Sequence, residues 1–432
     1  MDSWGKLGMS NGIPEGWEAA NIGEVCHTVY RYPTFYGMQT YSEGVPVIRG
    51  EHIMDCGILS KEWSDYWYVS EEYSAEYPRT KLNSGDVVMA VRGTVGKFAK
   101  VEQSHQEAQI SPNLIRLAPD TNKVDAEYFY QALFPAKDTL LNSSVSATGV
   151  PALNASDIKS AAILLPPLPE QQIIASILTS VDEVIEQTGS QISKLQDLKK
   201  GVMQELLTKG IGHTEFKDSP VGRIPKEWDA VKLGNIVSSL RGGVSVNGEN
   251  KPKQSGEFGV LKVSSVNEGQ FIPSENKRIL ESELHRAKIH PKANHVLFSR
   301  ANTPALVGES GYIEYTRTDL FLPDKLWMLD IYDRKAVNIR WLSYVLAHGR
   351  TRKCISDAAT GTSGSMKNIS KPSLMAIYIA VPSKHEQDEI SASILSLDKT
   401  IKQKLKKLLQ LNRLKNALMQ DLLTGKVRVK TD

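Results

Sequence analysis

Leu198-Lys-Lys-Gly-Val-Met-Gln-Glu-Leu-Leu-Thr208 returns near the end of the chain as Leu414-Lys-Asn-Ala-Leu-Met-Gln-Asp-Leu-Leu-Thr424. The offset is 216 residues, half of the 432, and such self-similarity is read before any local element because it dictates the architecture. At the same offset Glu170-Gln171 pairs with Glu386-Gln387, Ile174 with Ile390 and Asp182 with Asp398, so the register runs from Glu170 to Thr208 without a gap. A weaker echo lies upstream. Ile13-Pro14 and Trp17-Glu18-Ala19 before Gly23 match Ile224-Pro225 and Trp228-Asp229-Ala230 before Gly234, now offset by 211. The chain is a tandem duplication in which each half is a divergent globular domain followed by a strongly similar helix.

In the first helix Leu178, Val181, Ile185, Ile192, Leu195, Val202 and Leu206 fall on alternating three- and four-residue steps, with Thr188 and Lys199 as polar interruptions. The second copy places Ile394, Leu397, Ile401, Leu408, Leu411, Leu418 and Leu422 on the same seam, with Lys404 and Lys415 as its interruptions. Prolines 166, 167 and 169 lead into the first helix and Pro382 into the second, where proline is tolerated. Glu170 and Glu386 suit the positive end of the helix dipole, and Gly210 and Gly425 close the runs. The spacing predicts helices of roughly 38 residues and, at about 1.5 Å per residue, roughly 57 Å in length. Two such stripes in one chain most simply pack on each other, and an antiparallel pair would set the globular domains at opposite ends about a pseudo-twofold axis.

The globular domains read as mixed α and β. Val45-Arg49, Asp86-Val91 and Leu114-Leu117 are short strands, Gly93 and Gly96 mark a turn, and 125–133 is helical. The second domain repeats the plan with Gly259-Val263, His295-Ser299, Leu326-Leu329 and a helix near 338–347. The predicted fold class is therefore α+β: two mixed α/β domains in pseudo-twofold tandem repeat, joined by two long helices forming an antiparallel coiled coil. The predicted divisions are a first globular domain at 1–165, a first long helix at 166–210, a second globular domain at 211–381, a second long helix at 382–425, and a tail at 426–432.

Composition narrows the class. No apolar run approaches the roughly 18 residues of a membrane span, and no basic-then-apolar N-terminal stretch occurs, so a cytoplasmic protein with no membrane association is expected. Cys26, Cys56 and Cys354 are odd in number and far apart, which argues for reduced thiols rather than a disulfide framework or a thiolate zinc site. A net charge of +3 permits nucleic-acid binding without demanding it. The search for chemistry returns little. Gly93-Thr-Val-Gly-Lys97 lacks the four-residue spacer and the Ser/Thr of a P-loop. His385-Glu386 lacks the second histidine of a zincin, because position 389 is Glu. His285, His290 and His295 are interrupted by Pro291, so no metal site is expected. The one Pro-Pro pair lies in Leu165-Pro-Pro-Leu168, which is not the Asn/Asp-Pro-Pro-aromatic loop of an adenine methyltransferase.

Several of these motifs together resemble the specificity subunit of type I restriction-modification systems over nearly the whole chain: Ile13-Pro-Glu-Gly-Trp17 and Ile224-Pro-Lys-Glu-Trp228, Gly85-Asp86-Val-Val before Gly93-Thr-Val-Gly-Lys97, Pro166-Pro-Leu-Pro-Glu-Gln171, and the closing Met-Gln-Glu/Asp-Leu-Leu-Thr. In the second half Asn294-His295 replaces the Gly-Asp, and Ser383-Lys-His385 precedes Glu386 where the first half has Leu-Pro. The resemblance implies a non-catalytic subunit with two target-recognition domains, each reading half of a bipartite site in double-stranded DNA. It also implies helices that set the gap and dock two modification subunits, with restriction subunits joining the complex. No cofactor is expected in this chain; S-adenosylmethionine, ATP and Mg would sit on the partners. The rival readings are a coiled-coil adaptor without DNA specificity and a methyltransferase with an atypical site.

Basic and polar residues near strand ends and Gly-rich loops are the candidate DNA contacts: Arg31, Arg49, Arg92, Lys97 and Thr148 in the first domain, and Arg241, Lys262, Arg300, Lys367 and Asn368 in the second. Arginine suits bidentate readout of guanine, asparagine suits adenine, and lysine serves phosphate more often. Tyr30, Tyr32, Phe35 and Tyr36 flank Arg31 and are candidates for packing on sugar or base. The halves also differ in charge. Residues 399–430 carry a net +9, with Asp421 the one acid, whereas the matching window 183–214 is neutral, which points to phosphate contact or an acidic partner surface in the second half.

Overall fold

The computed structural model describes residues 12–31, 38–54, 57–143, 152–363 and 366–431. They form two compact units, Met1–Gly189 with Lys406–Asp432, and Ser190–Leu405. Both long helices are shared out between the units rather than assigned whole to one. The first spacer helix is Leu168–Lys209, 42 residues, and the second is Lys384–Leu422, 39 residues. The first is longer than its seam predicts because it begins inside the proline run, where Pro169 loses only a hydrogen bond that a first-turn N–H would not make.

In the first unit, strands β1 (Glu18–Asn21), β2 (Cys26–Arg31), β3 (Val45–Ile48), β4 (Trp67–Val69), β5 (Val87–Ala90), β6 (Phe98–Lys100), β7 (Gln109–Ile110), β8 (Leu114–Pro119) and β9 (Ala162–Leu165) build three sheets. The largest has the order β2-β8-β5-β6 and is antiparallel throughout; β4-β3-β7 and the pair β1-β9 flank it. The unbroken apolar run in β5 follows from its having a core on each face. Val87 and Met89 enter the core built around helix α1 (Ala126–Ser143), while Val88 and Ala90 enter the smaller core beside β3. Successive side chains point to opposite faces, so a strand covered on both sides has no polar position to spare. The spacer helices complete the larger core with Ile174 and Leu178 from the first and Leu422 from the second, joined by Leu423 in the turn just beyond it.

The second unit repeats the plan. Strands β10 (Asp229–Lys232), β11 (Val237–Gly242), β12 (His295–Ser299), β13 (Ala301–Asn302), β14 (Ser310–Ile313), β15 (Leu326–Ile331), β16 (Thr360–Ser363), β17 (Met366–Asn368) and β18 (Tyr378–Val381) include a central order β11-β15-β12-β14, the counterpart of β2-β8-β5-β6. β10 pairs with β18 as β1 does with β9. Val296 and Phe298 face a core containing helix α2 (Ile339–Ala347), and Leu297 faces the other way. The Gly-Asp to Asn-His departure is accommodated locally. Gly85 has φ +91° and Asn294 φ +55°, and Asn is the non-glycine residue that tolerates this region best. Asp86, buried and paired with Arg116 at 2.8 Å, gives way to His295, which lies 3.3 Å from Asp330 on β15.

The recurrent Trp and Glu of the two halves are partners. Glu170 accepts a hydrogen bond from Trp17 Nε1 at 3.1 Å, and Glu386 accepts one from Trp228 Nε1 at 2.9 Å. In the first unit Arg428 closes on Glu170 with two bonds of 2.8 Å. In the second, the backbone N–H of Ile211 at 2.9 Å and His213 at 3.0 Å engage Glu386. Gly210 and Gly425 turn the chain here at φ +69° and +67°; a Cβ on Gly210 would run into Glu386 and Trp228, and one on Gly425 into Pro14.

All fourteen seam residues are buried or half-buried, while Leu198 and Leu414, off the seam, are about half exposed. Within the first unit Lys415 pairs with Asp182 at 2.7 Å; within the second, Lys199 pairs with Asp398 at 2.6 Å and Lys404 donates to Gln191 at 2.7 Å. These partners run in opposite chain directions, so each unit holds an antiparallel helix pair. Three of the four polar interruptions thus have polar partners, and the fourth, Thr188, is buried. Among the described residues, no helix is long and apolar enough to cross a membrane.

Candidate nucleic-acid interface

The two central sheets present one comparable rim each, formed by the end of the first strand, the start of the last and the end of the strand between them. In the first unit Arg31 ends β2, opposite Ile115, and Ala90 ends β5, opposite Leu114, with Arg92 just beyond. Arg31 donates to the Pro112 carbonyl at 3.3 Å. Its guanidinium is held below the usual arginine range, first by burial and then by the like charge of Arg92. Arg92 is exposed and has no ion-pair partner among the described residues. Two guanidinium groups that repel each other beside a carbonyl are what an incoming anion would stabilise. Lys97 is half-buried in the turn before β6, and Thr148, Tyr32, Phe35 and Tyr36 lie outside the described residues.

Arg49 stands elsewhere. It follows β3, donates to the Asp65 carbonyl at 2.7 Å, pairs with Glu51 at 2.5 Å and stacks 4.0 Å from the centre of the Trp67 ring. With these partners in place it has few donors to offer a base.

In the second unit the rim collects Arg300, Lys367 and Asn368. Arg300 follows β12 and reaches the Asp324 carbonyl at 2.8 Å and the Asn368 side-chain oxygen at 3.2 Å. β17 pairs with β13, Ala301 opposite Asn368 and Asn302 opposite Lys367, so the hairpin lies against the strand end. Lys367 donates to the Ser356 carbonyl at 3.0 Å. Lys371, which sequence reading passed over, donates to the Leu240 carbonyl at 2.9 Å. The Arg300 and Lys371 charges both lie 5.8 Å from the Trp327 ring centre. Arg300 is partly balanced by the Asp324 carboxylate at 3.7 Å, whereas Lys367 and Lys371, bound to neutral carbonyls, keep their full charge, so this rim is positive although its donors are partly occupied. Lys371 opens a short helix behind the Ser370 cap, and its spacing of four from Lys367 was the one available hint.

Two candidates fall away from this rim chemistry. Arg241 is held by Asp330 through Nη2 at 2.7 Å and Nε at 2.5 Å, which neutralises it. Lys262 sits half-buried before the turn Val263–Ser265, outside the cluster. No three His, Cys, Asp or Glu side chains among the described residues converge as metal ligands. His290 packs on Phe321 and His295 engages Asp330, so these two face different neighbours.

A family model, the type I restriction modification DNA specificity domain, matches residues 14–196 and again 225–413. Two curated relatives from Methanocaldococcus jannaschii align over 97% of this chain. They are the type I restriction enzyme MjaVIII specificity subunit, 27% identical with 94% of its length covered, and the putative MjaX specificity subunit, 28% identical with 95% covered. Among solved structures, that of the type I restriction-modification system S subunit from M. genitalium matches the fold with a TM-score of 0.60 at 15% identity, covering 97% of this chain and 98% of that one. With both halves matched by the same domain and both built on the same sheet plan, the chain belongs to the type I restriction-modification DNA specificity family.

Proposed function

We propose that this chain selects the DNA for a type I restriction-modification complex, each unit reading one half of a bipartite site in double-stranded DNA. The spacer helices fix the gap and dock two modification subunits, which supply S-adenosylmethionine-dependent methylation of adenine. Restriction subunits bring ATP- and Mg-dependent cleavage to the same complex. The observation that carries this reading is the pair of rims. Equivalent sheet edges bear cations in both units, but with different side chains: Arg31 and Arg92 in one, Arg300, Lys367, Asn368 and Lys371 in the other. Lysines and the more buried arginine serve the phosphates and fix register, while Arg92 and the Arg300–Asn368 pair read base edges in the major groove. Sequencing the methylated adenines of a host with and without the gene tests it. The reading expects one interrupted motif to vanish with the gene, and an unchanged methylation pattern overturns it.

A further inference from the structure

The first unit contains a cavity of about 380 Å³ between α1, the Gly57-Ile58 loop and the first spacer helix. Its floor holds two unfilled acceptors. Gln131 is 1% exposed and spends its amide N–H on Asp182 at 3.0 Å, which fixes the orientation of the amide and leaves Oε1 buried without a partner among the described residues. Thr179 Oγ1 is likewise buried and unpartnered. Around them stand carboxylates. Glu127 is paired with Lys100 and Asp182 with Lys415, but Glu183 and Glu186 at the exposed mouth have no ion-pair partner among the described residues. A buried acceptor left unsatisfied is destabilising, so the site is complementary to a group rich in donors and positively charged.

The second unit shows what fills the equivalent place. Asp125 N–H donates to Gln171 as Asn338 N–H does to Gln387, and Gln131 bonds Asp182 as Tyr344 bonds Asp398. These matches align Glu127 with Arg340, Glu183 with Lys399, Glu186 with Lys402 and Thr179 with Leu395. All three acids are reversed in sign. Arg340 stacks 3.9 Å from the Tyr312 ring centre and pairs with Glu314 at 3.7 Å, so this unit carries a guanidinium of its own where the first has Glu127.

We propose that the cavity of the first unit receives an arginine side chain from a partner polypeptide, and that the second unit, with Arg340, Lys399 and Lys402, rejects the same segment. The partner follows from the reading above, in which the spacer helices dock modification subunits; two such subunits then bind unequal sites, one strengthened by the arginine and one without it. Arginine fits better than lysine because its planar fork offers five donors to a site lined with several acceptors and carboxylates, against three on an ammonium.

The test uses the full chain, with Nα-acetyl-argininamide and its neutral isostere Nα-acetyl-citrullinamide as probes and the modification subunit of the same system as partner. The arginine probe raises the unfolding midpoint of the wild-type chain in a dose-dependent manner, the citrulline probe does not, and E183K/E186K, confined to exposed positions, weakens the response at least tenfold. In a native mass-spectrometric titration E183K/E186K weakens one of two subunit-binding steps tenfold or more, and K399E/K402E leaves that step unchanged. Equal action of the two probes, or two binding steps untouched by E183K/E186K, overturns the arginine site while sparing the docking reading. A wild-type chain that responds to the arginine probe but binds no subunit overturns the docking reading and, with it, the assignment of the occupant to that partner.

Discussion

The Lys415 ammonium lies 2.7 Å from the Asp182 carboxylate, and their repeat images Lys199 and Asp398 lie 2.6 Å apart. Each lysine interrupts an otherwise apolar seam, and each is mostly buried, with 13% and 16% of the side chain exposed. A charge placed there is tolerated only against an opposite charge, so the pair ties helix register to a single pairing. Lys415→Met leaves the half-buried Asp182 without its cation and is expected to cost about 1–2 kcal/mol in the first unit. Asp182→Asn in the same background restores part of the loss. Urea unfolding of the four chains of this double-mutant cycle checks the coupling; additive losses would show that the pair does not act as one.

Glu170 is the second such junction. Its carboxyl is held below the usual carboxylate range, first by the Arg428 hydrogen bonds and also by Trp17. A depressed folded-state value contributes stability that is present above the ordinary glutamate range and is lost as pH falls through the folded value. Glu170→Gln is therefore expected to destabilise the first unit by about 1–2 kcal/mol at pH 7, with the difference shrinking below about pH 4. Thermal unfolding of both chains across pH 3 to 7 measures this; a gap that widens on acidification would contradict the assignment.

Cysteine reactivity follows burial. Burial, with the Asp86 charge adding to it, pushes the Cys26 thiol up to about 12, whereas Cys354 is exposed. Iodoacetamide at pH 8 should modify Cys354 in the native chain and reach Cys26 only in denaturant, as peptide mapping will show.

The rims make separable predictions for DNA. In the assembled complex, Arg92→Ala is expected to cost about 1–3 kcal/mol of affinity and to relax one position of one half-site, while Lys371→Ala weakens binding evenly across sequences and lowers its salt dependence. Arg241→Ala, which removes the guanidinium paired with Asp330, should instead act on the stability of the second unit. Affinity measured against a panel of single-base variants at two salt concentrations distinguishes the three.

Much of this was legible in the sequence because a duplication states which residues matter twice. The upstream Trp17 and Trp228 and the helix-entry Glu170 and Glu386 were visible as separate echoes, and folding joins them. The β5 and β12 runs announced themselves as strands because both faces are apolar. Other features were out of reach. Glu127 and Arg340 stand 213 residues apart while the spacer helices keep 216, so no single offset lines up the charge reversal. Arg49 met the same sequence criteria as Arg92, and only the fold stacks it on Trp67. Arg241 was likewise indistinguishable from a free cation until Asp330 came to face it.

The spacer helices offer a metric test. Four residues inserted after Gln191 lengthen the helix by about 6 Å at about 1.5 Å per residue, a little under two base pairs at about 3.4 Å each. The account expects a gap longer by one or two base pairs, weaker activity and unchanged half-sites in a methylation map. An unchanged gap at full activity would mean that something else fixes the distance.

The central claim is that each unit reads its own half-site. Replacing residues 14–165 with the corresponding segment of a relative of different specificity, then sequencing methylated adenines in a host carrying the hybrid, tests it most directly. The account predicts a motif in which one half-site is new while the other half-site and the gap are retained; a hybrid that alters both half-sites together would contradict it.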